Sequence, residues 1–421
     1  MASREWENPD AMMSVDEVFD RIISSISSRP PTRVDLLASR GLVLAEDVTT
    51  PSDVPPFSNS AMDGFAIRSG ETIPGQPVTF RLIGTVAAGD AEVLTVGPGE
   101  AARIMTGAPM PGQADAVIRF EEVEENPQGT VLVRRSVAPG ENVRLAGEDV
   151  AKGEVILRKG TVIRSPEIGL LAATGITAVA VHGQPRIAII STGDEVVEPG
   201  VDLKSGQIRD ANSYLLASMV SDLGAQPVRI GIAADTRSDL SSHFQAAAGC
   251  DFIVTSGGVS HGDFDLVKDV MRQKGRVDIW TVRMKPGKPL AYGTIGDTPL
   301  LGLPGNPAAA AVAFHQFGRP AILKMLGHRK IRLPIVRARL EESIENRGRR
   351  RHFERGIVRY SGDGWVVRPT GIHGSAMLSG LSSANCYIVV SESIDNAPAG
   401  SEVDVQLLGP EVFATMSIPT D

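Results

Sequence analysis

The sequence predicts a multi-domain chain organised around a doubly wound, mainly parallel α/β domain, with β-rich domains before and after it. Between residues 185 and 330, apolar strands alternate with helical stretches joined by short loops, the pattern of a parallel sheet covered on both faces. From about Pro51 to Val150, Gly and Pro recur every few residues between short β-branched runs, and from 331 onward strand-like alternation returns. A length of 421 residues suits about two to four domains.

The elements follow in order. Ser14 and Glu17 have capping-box spacing, and Val15, Val18, Phe19, Ile22, Ile23 and Ile26 recur on one helical face, so a helix is expected over 14–28, ended by Arg29-Pro30-Pro31. A short apolar element, Val34 to Leu44, carries Gly41 as a helix stop. Strands are expected at Pro77 to Ile83, Glu100 to Met105, Ala116 to Phe120 and Thr130 to Val133, then at Val155 to Leu157. Ser165-Pro166-Glu167 starts a helix, and Ala178 to Val181 follows as a strand. In the α/β segment the expected strands are Ile187 to Ile190, Val228 to Ile232, Phe252 to Val254, Leu290 to Tyr292 and Leu300 to Leu303. Its helices are Ser213 to Leu223, Ser238 to Ala248, a stretch near Asp265 to Gln273, and Pro307 to Met325. The last region offers strands at Val336 to Leu340, Gly356 to Tyr360, Trp365 to Arg368, Tyr387 to Val390 and Val403 to Leu407, a small all-β domain.

Composition narrows the classes. Hydrophobic content of 42% and charged content of 22% belong to a globular protein, which excludes disorder as the main theme. A net charge of −8 argues against a protein that coats nucleic acid. Cys250 and Cys386 alone make no disulfide framework or zinc motif. Met-Ala-Ser-Arg-Glu-Trp-Glu is not a secretory signal, and the uncharged stretch Thr298 to Gly318 is broken by Pro304-Gly305-Asn306-Pro307, so no membrane span and a cytoplasmic location are expected.

The chemistry is expected where strands of the α/β domain run into glycine-containing loops: Thr192-Gly193-Asp194-Glu195, Ser256-Gly257-Gly258-Val259-Ser260 and Pro304-Gly305-Asn306-Pro307. In a parallel sheet all three lie at the carboxyl edge, where open α/β sheets bind ligands. Their backbone N–H groups favour a phosphate-like anion. Asp194, Glu195, Asp235, Asp263 and Asp265 fall near the same edge, and Lys285 and Lys288 flank Pro286-Gly287. Carboxylates beside phosphate loops are the usual setting for magnesium, and lysines neutralise anions; the same aspartates also suit helix capping, so both readings stand. There is no P-loop, no Gly-x-Gly-x-x-Gly after a strand and no Gly-x-Ser-x-Gly elbow. His261 reads as a loop residue, and the basic run Arg347, Arg349, Arg350, Arg351 and Arg355 as a solvated loop with a secondary chance of touching an anion. The turn-rich segment Pro55 to Ala66, with Asp63 before Gly64, reads on its own as a linker.

Taken together these motifs resemble the molybdopterin molybdenumtransferases, the MoeA family whose relatives include the gephyrin E domain. The matching residues are Asn59-Ser60-Ala61-Met62-Asp63-Gly64, Met105-Thr106-Gly107-Ala108, Gly147-Glu148-Asp149, Thr192-Gly193-Asp194-Glu195, Gly206-Gln207-Ile208 with Asn212-Ser213-Tyr214, Ser256 to Ser260 with Gly262 and Asp265, Lys285-Pro286-Gly287-Lys288-Pro289, and Pro304-Gly305-Asn306-Pro307. The resemblance implies elongated homodimers of four-domain subunits. It places an N-terminal helix (1–29) on a molybdopterin-binding α/β domain (183–330), a linking domain (30–50 and 150–182), an inserted β-rich domain (51–149) and a C-terminal β-barrel-like domain (331–421). It further implies molybdenum insertion into adenylylated molybdopterin from molybdate, with Mg2+ and release of AMP, as the last step of molybdenum cofactor biosynthesis. The implied partners are a MogA-type molybdopterin adenylyltransferase upstream and molybdoenzymes or their chaperones as acceptors.

By position, the family's functional residues fall on Asp63, Thr106, Asp149, Glu195, Asp235, Asp265, Lys285, Arg355 and Ser375. Glu195, Asp235 and Asp265 are the implied metal and catalytic carboxylates, with Asp63 acting across the dimer. Gly257, Gly258, Ser260, Pro304, Gly305 and Asn306 would seat the pterin phosphate, and Lys285, Arg355 and Ser375, with Lys288 as a more variable position, the molybdate or phosphates. Thr281 departs from relatives that carry a basic residue there, with Arg283 nearby. Two rival functions remain: a molybdopterin adenylyltransferase, against which the long flanking domains argue, and a non-catalytic cofactor-binding scaffold, against which the intact carboxylates argue.

Overall fold

The computed structural model describes residues 12–90, 94–258, 270 and 275–409, which fall into two compact units, Met1–Thr32 with His182–Asp421, and Arg33–Val181. The expected helix near Asp265 to Gln273 lies outside the described residues.

The first unit holds a six-stranded sheet: β1 (Arg186–Thr192), β2 (Gln226–Ala233), β3 (Phe252–Ser256), β4 (Gly275–Thr281), β5 (Pro289–Ile295) and β6 (Thr298–Leu303), in the order β2-β1-β3-β6-β5-β4. The pairs β1–β2, β1–β3 and β3–β6 are parallel, while β6–β5 and β5–β4 are antiparallel. Side chains alternate across a strand, so each strand feeds two cores. Ile187, Ile189, Phe252, Val254, Leu301 and Leu303 bury on one face, and Ala188, Ile190, Ile253 and Leu300 on the other. The first face is covered by α1 (Val15–Ser25), α2 (Asn212–Asp222) and a long C-terminal helix; the second is covered by α3 (Arg237–Ala246) through Leu240 and Phe244.

Local signals set the helix ends. Ser14 and Glu17 form the anticipated capping box, and Thr236 Oγ1 accepts from the Asp239 N–H at the start of α3. The long helix expected over Pro307 to Met325 is two α-helical segments, α4 (Pro307–Ala313) and α5 (Arg319–Met325), joined by a π turn at Phe314–Gly318. Strand β4 is absent from the sequence expectation. It is an edge strand with one neighbour, so exposed Arg276 and Asp278 are tolerated and no apolar run marks it.

Five further strands close a barrel in the same unit: β7 (Ile335–Leu340), β8 (Arg351–Tyr360), β9 (Trp365–Pro369), β10 (Cys386–Val390) and β11 (Glu402–Leu407). Their order, β8-β9-β7-β11-β10 and back to β8, leaves no open edge among them. The short strand Met284–Lys285, between β4 and β5, pairs in parallel with Arg351–His352 of β8. This corrects the reading of 347–355 as a solvated loop: from Arg351 the run is barrel strand, with Arg351 bonded to Asp16 and Glu392 and Arg355 buried. Alternating charged and apolar residues hid a strand whose charges are paired inward.

The second unit contains a six-stranded sheet in the order 116–119, 64–67, 100–104, 78–86, 130–133, 123–126, with apolar cores on both faces. A smaller core gathers Leu44, Val48, Ile163, Leu171, Val179 and Val181. The element expected at Val34 to Leu44 is only a strand end and one 3-10 turn, Leu37–Ser39; Leu37 is 82% exposed, so no second apolar face exists to sustain a helix. No helix among the described residues is long and apolar enough to cross a membrane.

Ile22 is fully buried in the core between α1 and the sheet. Ile22→Ala is expected to destabilise this unit by about 3 kcal/mol, the usual range for deleting a buried large aliphatic side chain, read as a lowered urea midpoint without loss of secondary structure at low denaturant.

Candidate active cleft at the sheet edge

The carboxyl ends of β1, β3 and β6 deliver three loops to one edge of the sheet. They open onto a cleft of ≈ 1300 Å³ whose far side is the barrel. The loops lock to one another. Gly257 N–H donates to the Leu303 carbonyl at 3.1 Å. Asn212, opening α2, donates through Nδ2 to Ser256 Oγ at 2.6 Å and to the Gly305 carbonyl at 2.7 Å, tying the β3 and β6 loops together. Gly257 has φ +94°, and a Cβ there would sit 2.7 Å from Thr192 Oγ1 and 2.8 Å from the Thr192 carbonyl oxygen. Only glycine permits that approach. Below the loops, buried Asp210 accepts from Ser191 Oγ and from the backbone and hydroxyl of Ser213. Asn212 and Asp210 are site residues that the sequence reading did not assign, although Asn212 lies in a motif it quoted.

Carboxylates gather beside the β1 loop. Gly193, at φ +137°, leaves the space that Glu195 folds into, since a Cβ would lie 2.6 Å from Glu195 Oε2. Glu195 and Asp235 both line the cleft, and Asp194 accepts from the Asp235 N–H at 3.0 Å. Burial, then the charges of Asp194 and Glu195, push the Asp235 carboxyl above the ordinary aspartate range.

Lys285, Lys288, Ser375 and Arg355 line the same cleft, together with Gly258, Pro304, Gly305 and Asn306. Lys285 is carried there by the Met284–Lys285 strand, opposite His352 of β8. Arg355 is 5% exposed and donates to the carbonyls of Met377, Ile372 and Gly374 at 2.8–3.1 Å, so it shapes the loop that presents Ser375. Ser375 Oγ accepts from Asn306 Nδ2 at 2.9 Å, and its carbonyl accepts from the Ala308 N–H at 3.0 Å in the first turn of α4. The sequence reading also passed over His352, Glu354 and His373, which line the barrel wall. Single polar residues inside β-alternation carry no signal until the barrel closes.

Ser260 and Asp265 lie outside the described residues. Asp63, Thr106 and Asp149 belong to the second unit. There Asp63 Oδ1 accepts from the Thr106 N–H at 2.7 Å and from Thr106 Oγ1 at 2.9 Å, bonds that hold its carboxyl below the usual range. The Asp149 side chain is exposed. Arg283, near Thr281, donates through Nη2 to the Met12 carbonyl at 3.4 Å.

A doubly wound sheet edge with glycine loops, carboxylates and lysines thus faces a closed barrel across one cleft, the layout of a small-molecule-binding α/β protein. Comparison with known proteins narrows this. Residues 13–175 match the MoeA N-terminal region (domain I and II), 188–324 a probable molybdopterin binding domain, and 337–408 the MoeA C-terminal region (domain IV). Molybdopterin molybdenumtransferase of Haemophilus influenzae is 34% identical over 403 residues, covering 94% of this chain and 98% of its own. Molybdopterin molybdenumtransferase 2 of Mycobacterium tuberculosis is 35% identical over 404 residues, covering 94% and 99%. A molybdopterin biosynthesis MoeA protein from Pyrococcus horikoshii superposes with TM-score 0.83 at 34% identity, over 94% of this chain and 99% of that one. The chain belongs to the MoeA family, the molybdopterin molybdenumtransferases.

Asp235 yields a pH prediction. Its folded-state pKa is raised, so folding favours the protonated form, and the penalty appears as pH rises through that folded value. Asp235→Asn should therefore raise the thermal midpoint at neutral pH, and the gain should vanish in acid where the wild-type carboxyl is already protonated. Scanning calorimetry across pH checks both parts.

Proposed function

We propose that this protein inserts molybdenum from molybdate into adenylylated molybdopterin with Mg2+, releasing AMP, at the last step of molybdenum cofactor biosynthesis in the cytoplasm. The observation that carries this reading is the convergence, in one cleft of a MoeA-family chain, of amide-bearing glycine loops with Glu195, Asp235, Lys285 and Ser375. The Gly257 N–H is taken by the Leu303 carbonyl, so the backbone N–H groups offered to the pterin phosphate are those of Gly258 and the Gly305 loop, and Lys285 and Lys288 offset its charge. Gly257 keeps these amides pressed against the β1 loop, so they are aimed before substrate arrives.

The residues fit a divalent cation in part. Among the described residues no group of three or more His, Cys, Asp or Glu side chains forms a ready cage. Magnesium, however, is commonly held by one or two carboxylates, with substrate phosphate and water completing its shell, and the mutual repulsion around Asp235 is what a cation would relieve. Glu195 and Asp235 would hold it, with Asp265 as the third candidate, and the ion would offset charge that develops as the phosphoanhydride breaks. Glu195 and Asp235 also orient the attacking oxygen at the adenylate. Lys285 and Ser375 hold molybdate, with Arg355 contributing mainly by fixing the Ser375 loop; a tetrahedral dianion needs such donors and positive charge.

The reading includes a homodimer in which the Asp63–Thr106 pair of one copy completes the cleft of the other, with Asp149 on the same unit. Exposed Phe57 and Met62 beside Asp63 support a surface made for covering. Adenylylated molybdopterin would come from a molybdopterin adenylyltransferase, and the product would pass to molybdoenzymes or their chaperones.

Purified protein given adenylylated molybdopterin, Mg2+ and molybdate is expected to release AMP and form the cofactor; pterin binding without turnover would point to a carrier instead. Glu195→Gln should bind the pterin but lose turnover by about tenfold or more, a barrier change of roughly 1.4 kcal/mol. If the site is shared, mixing impaired Asp63→Asn and Glu195→Gln copies should raise activity above either variant alone, to about a quarter of wild type, because about half the dimers are mixed and each has one intact site. No recovery after confirmed subunit exchange would rule out the shared site.

A further inference from the structure

The barrel wall of the cleft holds a polar cluster outside the roles assigned above. His352 and Glu354 are both over nine-tenths buried and stand two residues apart on β8, so their side chains share one face. His352 Nε2 lies 3.0 Å from Glu354 Oε2. A carboxylate can only accept, so Nε2 carries the proton. Glu354 Oε1 lies 3.6 Å from Nδ1 of His373, whose side chain is 69% exposed, in the loop that leads to Ser375. One carboxylate therefore stands between a buried imidazole and an exposed one, and all three residues line the cleft.

Two atoms of this cluster are incomplete. His352 Nδ1 and Glu354 Oε1 are buried without a hydrogen-bond partner. Folded proteins rarely leave such groups unsatisfied, and where they do the group commonly serves a ligand or a reaction. Burial opposes the Glu354 charge, but the His352 bond and the charges of His352, His373 and Arg355 hold its carboxyl below the ordinary range. Other charged groups lining the cleft are Arg350 and Glu345 beside the barrel, Lys285 and Lys288 at the sheet edge, and Glu195, Arg209, Asp210 and Asp235 at the far loops. A purely structural ion pair has no need of an exposed third member.

We propose that His373 exchanges protons with the substrate in the cleft, with Glu354 and His352 behind it as positioning residues. This rests on the molybdenum-insertion reading. In that reaction molybdate and a dithiol give a trioxo dithiolene dianion and water: two S–H bonds break, two Mo–S bonds form, one Mo–O bond breaks, and both protons leave on the departing oxygen. His373 takes a proton from sulfur and returns it to that oxygen. Glu354 steadies the imidazolium formed between the two transfers, and His352 fixes the orientation of the carboxylate. General acid–base groups contribute about a hundredfold or more to such steps.

The test uses the full chain in the AMP-release and cofactor-formation assay, with His373→Ala, His373→Gln and Glu354→Gln. His373 is exposed, so its variants are expected to fold, which their thermal midpoints check. The expected result is cofactor formation reduced about a hundredfold with pterin affinity unchanged, loss of one limb of the pH–rate profile, and partial recovery of His373→Ala by added imidazole. Wild-type turnover and pH profile in His373→Gln, or a loss in His373→Ala that imidazole does not restore, would overturn this role of His373. A wild-type protein that binds pterin but never turns over would instead overturn the molybdenum-insertion reading, so the two failures are distinct.

Discussion

The cleft depends on one close approach, that of the Gly257 backbone to Thr192. Two parallel strands end side by side, and their loops must pass without a side chain between them. A Cβ at 257 would enter the space of the Thr192 carbonyl, so the β3 loop would have to lift away from β1. The Asn212 bonds to Ser256 and Gly305 then transmit the position of one loop to the other. A fixed arrangement of the loops at the sheet edge follows from this contact.

A second constraint brings the opposite wall into place. Met284–Lys285 is only two residues long, yet it pairs with the first residues of β8 and so joins the barrel to the connection between β4 and β5. The same pairing puts Lys285 opposite His352. Arg355, two residues further along the face of Phe353, is spent on carbonyls rather than left free, which gives the Ser375 loop a fixed shape. The side of the cleft that carries Lys285, His352 and Arg355 is thus a consequence of barrel closure, as the glycine-loop side is a consequence of the doubly wound sheet.

Electrostatics gives the site a cost in the absence of substrate. Asp235 is pushed upward by burial and by Asp194 and Glu195, whereas Asp63 in the other unit is pulled downward by two bonds from Thr106. The first is a carboxylate under repulsion; the second is one held by two hydrogen bonds. Catalytic sites commonly hold such strain, and the rest of the fold, with apolar packing on both faces of the sheet, offsets it.

Much of this was legible in the chain alone. Strand–helix alternation marked the doubly wound domain because a strand buried on both faces carries a continuous apolar run, as Ile187 to Ile190 of β1, Phe252 to Val254 of β3 and Leu300 to Leu303 of β6 do. Glycine loops after those strands, and the ordered motifs around Asp63, Glu195, Lys285 and Pro304, pointed to the family and to most of the cleft. What the sequence could not convey was pairing between distant segments: the edge strand β4, the inward use of Arg351 and Arg355, the bonds of Asn212, and the meeting of His352, Glu354 and His373. Each depends on which strands become neighbours, and a polar residue in an alternating run has the same local pattern whether it faces water or a cleft. Local periodicity determined the elements; barrel closure and loop contact decided which of their side chains share a site.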